Sequence, residues 1–248
     1  MFYQSVASFY DDMTGYTEWE SYSQDAIRSL ISKYPSQSLL DSACGTGIYA
    51  IAGAKLGLRV TGVDIVPEMI DKAKINSHNA GVNVDWNVGD IRHLDSAVTE
   101  QHDLVICMGN TIPHLLKDSD LQEACSSFYS SLNHGGALVL EFLNYPRILK
   151  FSERIISINR KDDREFVRFY DFVDLKEIVF NILEISWEGN KAKERQIHSL
   201  KLRPYFPEAV IGSLKRSGFE VSGIWEDPFF HEFHEHKSET VVIAAIKK

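Results

Sequence analysis

Between Ser36 and Leu143, short runs rich in Val, Ile and Leu alternate with longer stretches whose apolar positions recur at helical spacing. Continuous apolar runs suit strands buried on both faces, and their alternation with helices is the pattern of βαβ units around a parallel sheet. The first strand ends at Leu39-Leu40. A helix over residues 48–55 opens on a Gly turn, and residues 59–63 form the second strand. Pro67 sits at the favoured first turn of a helix over 67–79, which Gly81 stops. Residues 82–86 and 104–107 read as the third and fourth strands, and 118–132 as a helix capped by Asp118 or Ser119. Residues 137–142 read as the fifth strand, following the Gly135-Gly136 turn. These units predict an α/β chain built on a doubly wound sheet.

The pattern changes after Pro146. Residues 147–203 are rich in Ile, Val, Phe and Tyr and are punctuated by Asp162-Asp163 and Gly189-Asn190 instead of by helices. Gly-Asn between Trp187 and Lys191 is a hairpin signal. Strands are expected over 155–159, 165–172, 178–187 and 194–202, together an inserted antiparallel lobe. A helix over 207–217 and strands over 219–225 and 240–245 then bring the sheet to seven strands. The division is residues 1–35 as N-terminal cap helices, 36–146 and 204–248 as the core, and 147–203 as the inserted lobe.

Composition narrows the partners. The chain has 248 residues with 26 basic and 35 acidic side chains, a net charge of −9. That sign repels phosphate backbones and anionic headgroups, which argues against nucleic acid and membrane as partners and leaves small molecules. Cys44, Cys107 and Cys125 form neither a disulfide framework nor a metal-ligand spacing. The N-terminus has no basic segment ahead of its first cation, Arg28, and apolar runs such as 241–246 are too short to span a bilayer. A cytoplasmic location is expected. Oligomeric state leaves no mark in the sequence.

The stretch Leu39-Leu40-Asp41-Ser42-Ala43-Cys44-Gly45-Thr46-Gly47 runs an apolar strand into an acid and then into a Gly-x-Gly turn that opens a helix. Gly45-x-Gly47-x-x-Ala50 also fits a dinucleotide fingerprint. Asp41 separates the two readings. A carboxylate four residues before the first Gly opposes a pyrophosphate, whereas it favours a ligand carrying sulfonium and ammonium groups. Asp64 ends the second strand, where a carboxylate can accept both hydroxyls of a ribose. Asp90 follows the third strand, suited to an adenine amine, with Ile91 packing on the ring. Three acids at successive strand ends of one sheet point to one nucleoside-bearing cation.

Leu40 to Gly47, Val63-Asp64, Gly89-Asp90 and Asp103-Leu104-Val105 resemble motifs of the class I S-adenosylmethionine-dependent methyltransferases. Gly109-Asn110-Thr111-Ile112-Pro113-His114-Leu115 is similar to the Gly-Asn-x-x-x-His-Leu segment of the glycine N-methyltransferase-like subfamily. Asn144-Tyr145 and Leu202-Arg203-Pro204-Tyr205 extend the similarity. The resemblance implies a Rossmann-like core, an N-terminal cap, and a β-rich substrate lid inserted after the fifth strand. It also implies S-adenosylmethionine as cofactor and S-adenosylhomocysteine as product. It puts Asp41, Ala43, Gly45, Gly47, Asp64, Ile65, Met69, Asp90, Ile91, Met108 and His114 at the cofactor. Tyr10, Trp19 and Tyr22 would form an aromatic cap over the sulfonium, or an aromatic stripe packed on the sheet. Asn110, Leu143, Asn144, Tyr145, Arg147 and Tyr205 fall at the acceptor, with Asn110, Tyr205 and His114 nearest the chemistry.

One departure bears on the acceptor. The arginine that precedes Asn-Tyr in the glycine enzymes and holds the substrate carboxylate is Leu143 here, and a guanidinium's bidentate grip is lost with it. Arg147, three residues beyond Asn144, is the candidate substitute. Methyl transfer to a neutral amine needs positioning and exclusion of water more than a strong base. His114 therefore either takes up the released proton or satisfies the loop backbone. Thr111-Ile112-Pro113 differs from the Pro-Pro-aromatic run of nucleic-acid amino methyltransferases. The resulting expectation is N-methylation of a small amine or amino-acid-like metabolite. O- or C-methylation, an NAD-dependent oxidoreductase and a non-catalytic cofactor-binding module are the alternatives. The run His231 to His236 lacks the spacing of a metal site, and no metal is expected.

Overall fold

The computed structural model describes Tyr10, Asp11 and residues 16–248. Residues 1–9 and 12–15 of the expected N-terminal cap lie outside the described residues. In chain order the elements begin with α1 (Tyr16–Lys33), β1 (Ser38–Asp41), α2 (Ile48–Lys55), β2 (Arg59–Asp64), α3 (Pro67–Asn79) and β3 (Asp85–Val88). They continue with β4 (His102–Cys107), α4 (Asp118–Ser130), β5 (Leu132–Leu143) and α5 (Tyr145–Phe151). Next come β6 (Ile155–Lys161), β7 (Arg164–Phe172), β8 (Ile178–Glu188) and β9 (Lys191–Leu202), followed by α6 (Pro207–Arg216), β10 (Phe219–Trp225) and β11 (Thr240–Lys247). Short 3-10 turns occupy Ile91–Ser96 and Ile112–His114.

Seven strands form one sheet in the order β10-β11-β5-β4-β1-β2-β3. β11 runs antiparallel to both of its neighbours and the rest are parallel. Because side chains alternate across a strand, Leu40, Val105 and Leu138 join the core on one face, while Leu39, Leu104, Ile106 and Val139 join the core on the other. All four residues of β1 are buried. The chain leaves β1 toward β2 and later returns to β4 on its other side, so the carboxyl ends of β1 and β4 flank a topological switch point, where open α/β sheets hold ligands. α1 packs on α2, burying Ile27 and Leu30.

The inserted strands form a separate antiparallel sheet in the order β6-β7-β8-β9, with Gly189-Asn190 turning β8 into β9. Tyr170, Ile178 and Leu202 from this sheet enter the same core as β4 and β5.

Several boundaries differ from expectation for identifiable reasons. The third strand spans Asp85–Val88, not 82–86, because Trp86 pairs with Gly62 and its ring fills the space that two glycines leave. A Cβ on Gly62 would come within 2.2 Å of that ring, and one on Gly47 within 2.6 Å. The α4 N-cap is Lys117 and makes no side-chain cap, so neither Asp118 nor Ser119 caps it. Asp118 instead pairs with Arg203 at 2.7 Å. Residues 145–151 are a helix, not the start of the lobe; Pro146 fits its first turn, and the Asn144 side chain accepts from Arg147 N–H at 3.4 Å. Gly135 and Gly136 lie inside β5.

Candidate active site

The carboxyl ends of β1, β2, β4 and β5, with the inner face of the inserted sheet, enclose a cavity of about 830 Å³. Its floor is the turn after β1. Gly45 and Gly47 adopt φ of 52° and 92°, conformations that disfavour a Cβ, and Gly47 opens α2. The turn is stitched to β2 by Cys44 N–H donating to Val63 O at 2.9 Å, and by Gly45 N–H donating to Asp64 Oδ2 at 2.9 Å. Asp64 Oδ1 accepts from Val66 N–H at 2.9 Å, so one carboxylate pins the loops after β1 and β2. Burial raises the Asp64 pKa despite these bonds.

Asp41 carries an unmet demand for a donor. It is 1% exposed and lines the cavity, and its Oδ2 is buried with no hydrogen-bond partner among the described residues. Burial, and then the negative charge of Asp64, push its pKa up to about 7, against the hydrogen bonds of Ala50 and Ala43 N–H. A buried carboxylate oxygen without a partner is costly, and a cation or N–H donor brought into the cavity would satisfy it.

Asp90 is differently placed. It lines the cavity, yet Arg92 Nε donates to its two oxygens at 3.0 and 3.1 Å, and its Oδ1 caps the following turn by accepting the Arg92 backbone N–H at 2.9 Å. Burial would raise its pKa, but the guanidinium prevails and holds it below the ordinary carboxylate value.

The structure brings together on the cavity wall Tyr10, Trp19, Tyr22, Asp41, Ala43, Gly45, Asp64, Ile65, Met69, Asp90, Ile91, Met108, Asn110, His114 and Leu143. Gly47 lies behind the turn against Trp86 and is not part of the wall. Four residues expected at the acceptor also lie off the wall. Asn144 is fully buried and its amide donates to Glu235 O at 2.7 Å and Ser238 O at 2.9 Å. Tyr145 is fully buried beneath Asn110, and Tyr205 donates to Leu115 O at 2.7 Å. Arg147 pairs with Glu153 at 3.1 Å and Glu239 at 3.9 Å.

Asn110 lines the cavity, but its side chain is engaged with the strand behind it: Oδ1 accepts from Leu143 N–H at 3.0 Å and Nδ2 donates to Tyr145 Oη at 3.0 Å. Burial lowers the His114 pKa to about 4, so its imidazole is neutral at physiological pH.

Sequence reading missed a second group of wall residues. Glu141 is a lone acid inside the apolar run of β5; it is 8% exposed, and burial raises its pKa to about 7. Its isolation in that run was the available signal. Tyr49, Asp227, Glu226, Arg168 and Tyr170 also line the cavity, the last two from β7. Residues of the inserted sheet gave no signal, because which face of β7 turns inward depends on docking. Among the described residues no group of His, Cys, Asp and Glu is arranged to hold a metal, and no helix is long and apolar enough to cross a membrane.

A family model described as a methyltransferase domain matches residues 39–136. The glycine/sarcosine N-methyltransferase of Parasynechococcus marenigrum (strain WH8102) is 30% identical over 148 residues, 58% of this chain and 52% of that protein. A ubiquinone biosynthesis O-methyltransferase of Xanthomonas axonopodis pv. citri (strain 306) is 34% identical over 106 residues, 43% of each protein. The chain thus spans about half the length of the curated relatives it matches. In fold it is similar to the crystal structure of an S-adenosylmethionine-dependent methyltransferase from Clostridium acetobutylicum ATCC 824, with a TM-score of 0.81 and 18% identity over 98% of both chains.

Proposed function

We propose that the chain is a class I S-adenosylmethionine-dependent methyltransferase, a reading supported by the methyltransferase-domain match over residues 39–136 and by the likeness in fold, and that it methylates the nitrogen of a small amine. The observation that carries the reading is Asp41, a buried carboxylate with an unpartnered oxygen at the sheet's switch point. S-adenosylmethionine, when bound, supplies a methyl group activated on a sulfonium. Asp41 would meet the positive charge of its methionyl end, and Asp64 would accept from the ribose while it holds the loop. Ile91 and Met69 would pack on the adenine, with the Asp90–Arg92 pair at its edge. Met108 and the neutral His114 would border the methionyl end.

Support for nitrogen over oxygen comes from the similarity to glycine/sarcosine N-methyltransferases over 58% of the chain. β6–β9, in this reading, act as a lid that excludes water from the reacting atoms. Tyr10, Trp19 and Tyr22 would close the opposite side.

The test incubates the protein with methyl-labelled S-adenosylmethionine and, in parallel, glycine, sarcosine and a fractionated small-metabolite extract. Label on an amine nitrogen is the expected result. Label on oxygen would replace the acceptor assignment with the O-methyl reading, and cofactor binding without any S-adenosylhomocysteine formation would make the protein a non-catalytic binding module.

A further inference from the structure

Besides Asp41 the cavity wall carries a second buried acid, framed by elements distant in sequence. Glu141 comes from β5, Tyr49 from the first turn of α2, Tyr22 and Trp19 from α1, and Asp227 from the loop after β10. Trp19 and Tyr22 meet edge to face at 4.9 Å, and Tyr22 meets Phe229 the same way at 5.4 Å. Glu141 is the buried member. Among the described residues the one hydrogen bond its carboxylate accepts is a long one, from Gly109 N–H at 3.4 Å. One oxygen is therefore left without a donor at the cavity wall. Asp227 is held in place by the N–H groups of Phe229 and His231 and by the His231 imidazole at 2.6 Å. The charged and titratable groups that bear on Glu141 are Asp227, Tyr22 and Tyr49, none of which is a cation at neutral pH.

A carboxylate with an unmet oxygen, beside a second carboxylate and framed by aromatic rings, is an arrangement that attracts an organic cation. We propose that Glu141, backed by Asp227 and the rings of Tyr22, Tyr49 and Trp19, is the acceptor's ammonium-binding group, and that the substrate class is amines that arrive protonated. This rests on the methyltransferase reading above. In the step Glu141 performs, one N–H bond of the bound ammonium breaks and its electron pair stays on nitrogen as the lone pair. The proton joins a carboxylate oxygen of Glu141, leaving a neutral amine and a neutral carboxyl. Burial suits Glu141 to that exchange by raising its affinity for a proton. The nitrogen is thereby made nucleophilic only inside the cavity.

The test is calorimetry on protein saturated with S-adenosylhomocysteine, with ethanolamine, sarcosine and glucosamine as cationic probes and glucose as a neutral control. At least one cation should bind wild type, with affinity rising as pH passes upward through 7. It should bind Glu141→Gln at least tenfold more weakly. S-adenosylhomocysteine itself should bind both proteins within twofold. Glu141→Gln preserves shape, and the pH series on wild type stands if that variant folds poorly. Cation binding that is equal in the two proteins, flat with pH, or absent for all three probes would overturn the proposal, as would an equal loss of S-adenosylhomocysteine affinity. Failure of wild type to bind S-adenosylhomocysteine at all would instead overturn the methyltransferase reading.

Discussion

The side-chain oxygen of Asn110 accepts the backbone N–H of Leu143 at 3.0 Å, tying the loop after β4 to the last residue of β5. Asn110 itself has φ of 73°, a left-handed conformation that Asn tolerates better than most residues. Its amide is thus a strap across two strand ends that border the cavity. Asn110→Ala keeps the strained φ and leaves the Leu143 N–H without its partner, a loss of about 1–3 kcal/mol. Urea unfolding should register that loss, and turnover should fall with it while S-adenosylhomocysteine affinity changes less. An unaltered unfolding midpoint would show that the strap is not what Asn110 contributes.

Asp41 yields a pH prediction whose sign differs from that of most carboxylates. Its pKa is about 7 in the folded chain against an ordinary 3.8, so between those values the folded state holds a proton that the unfolded state releases. Ligand-free stability from this group is full below about pH 4 and is lost as pH rises through 7, a three-unit shift worth up to roughly 4 kcal/mol. A cationic ligand prefers the ionised form, so cofactor affinity should move the opposite way and weaken below pH 7. Asp41→Asn should flatten both trends, raise ligand-free stability at pH 8 relative to wild type, and cut S-adenosylmethionine affinity at least tenfold. Thermal unfolding and calorimetry at pH 5.5 and 8 test the pair of signs together.

How far the sequence spoke depended on whether the signal was local. The bounds of α2 and α3 could be read off the chain because a Gly turn and a Pro each act within one helical turn. Asp41 and Asp64 were legible because an acid at the end of an apolar strand stands out and the topology carries both to one edge. The third strand was misplaced because its register is set by Trp86 filling the space of Gly47 and Gly62, contacts between residues far apart in sequence. Tyr205 and Asn144 matched a motif, yet their polar atoms serve Leu115, Glu235 and Ser238, partners that only folding supplies. Glu141 went unread because a single acid in a strand does not disclose which neighbours face it.

The contact between Gly47 and Trp86 makes the turn after β1 sensitive to a single methyl. Gly47→Ala faces both a φ of 92° and a Cβ placed 2.6 Å from the indole. The backbone penalty alone is of order 1–3 kcal/mol. The indole is also restrained, since Trp86 Nε1 donates to Ser77 Oγ at 3.1 Å. The variant should unfold at lower urea and lose S-adenosylhomocysteine affinity. Gly45→Ala, where nothing lies within 4 Å of the new Cβ, should be milder although its φ is 52°. If the two variants lost stability equally, the indole contact would carry no weight.

His114 offers the sharpest separation between a chemical and a structural role. Burial depresses its pKa to about 4, below the ordinary 6.5, so the folded chain binds the imidazole neutral while the unfolded chain protonates it first. Its contribution to stability is therefore present above pH 6.5 and lost as pH falls toward 4, about 3 kcal/mol over the full window. An imidazole with so low an affinity for a proton is a poor holder of one released near neutrality. His114→Gln should remove part of the acid-side destabilisation. It should reduce kcat/KM by less than tenfold and leave the shape of the pH–rate profile between 6 and 8 unchanged. The wild-type imidazole should show no titration above pH 5 when followed by proton NMR. Loss of a kinetic limb near pH 6.5 in the variant would transfer the proton-accepting role to His114.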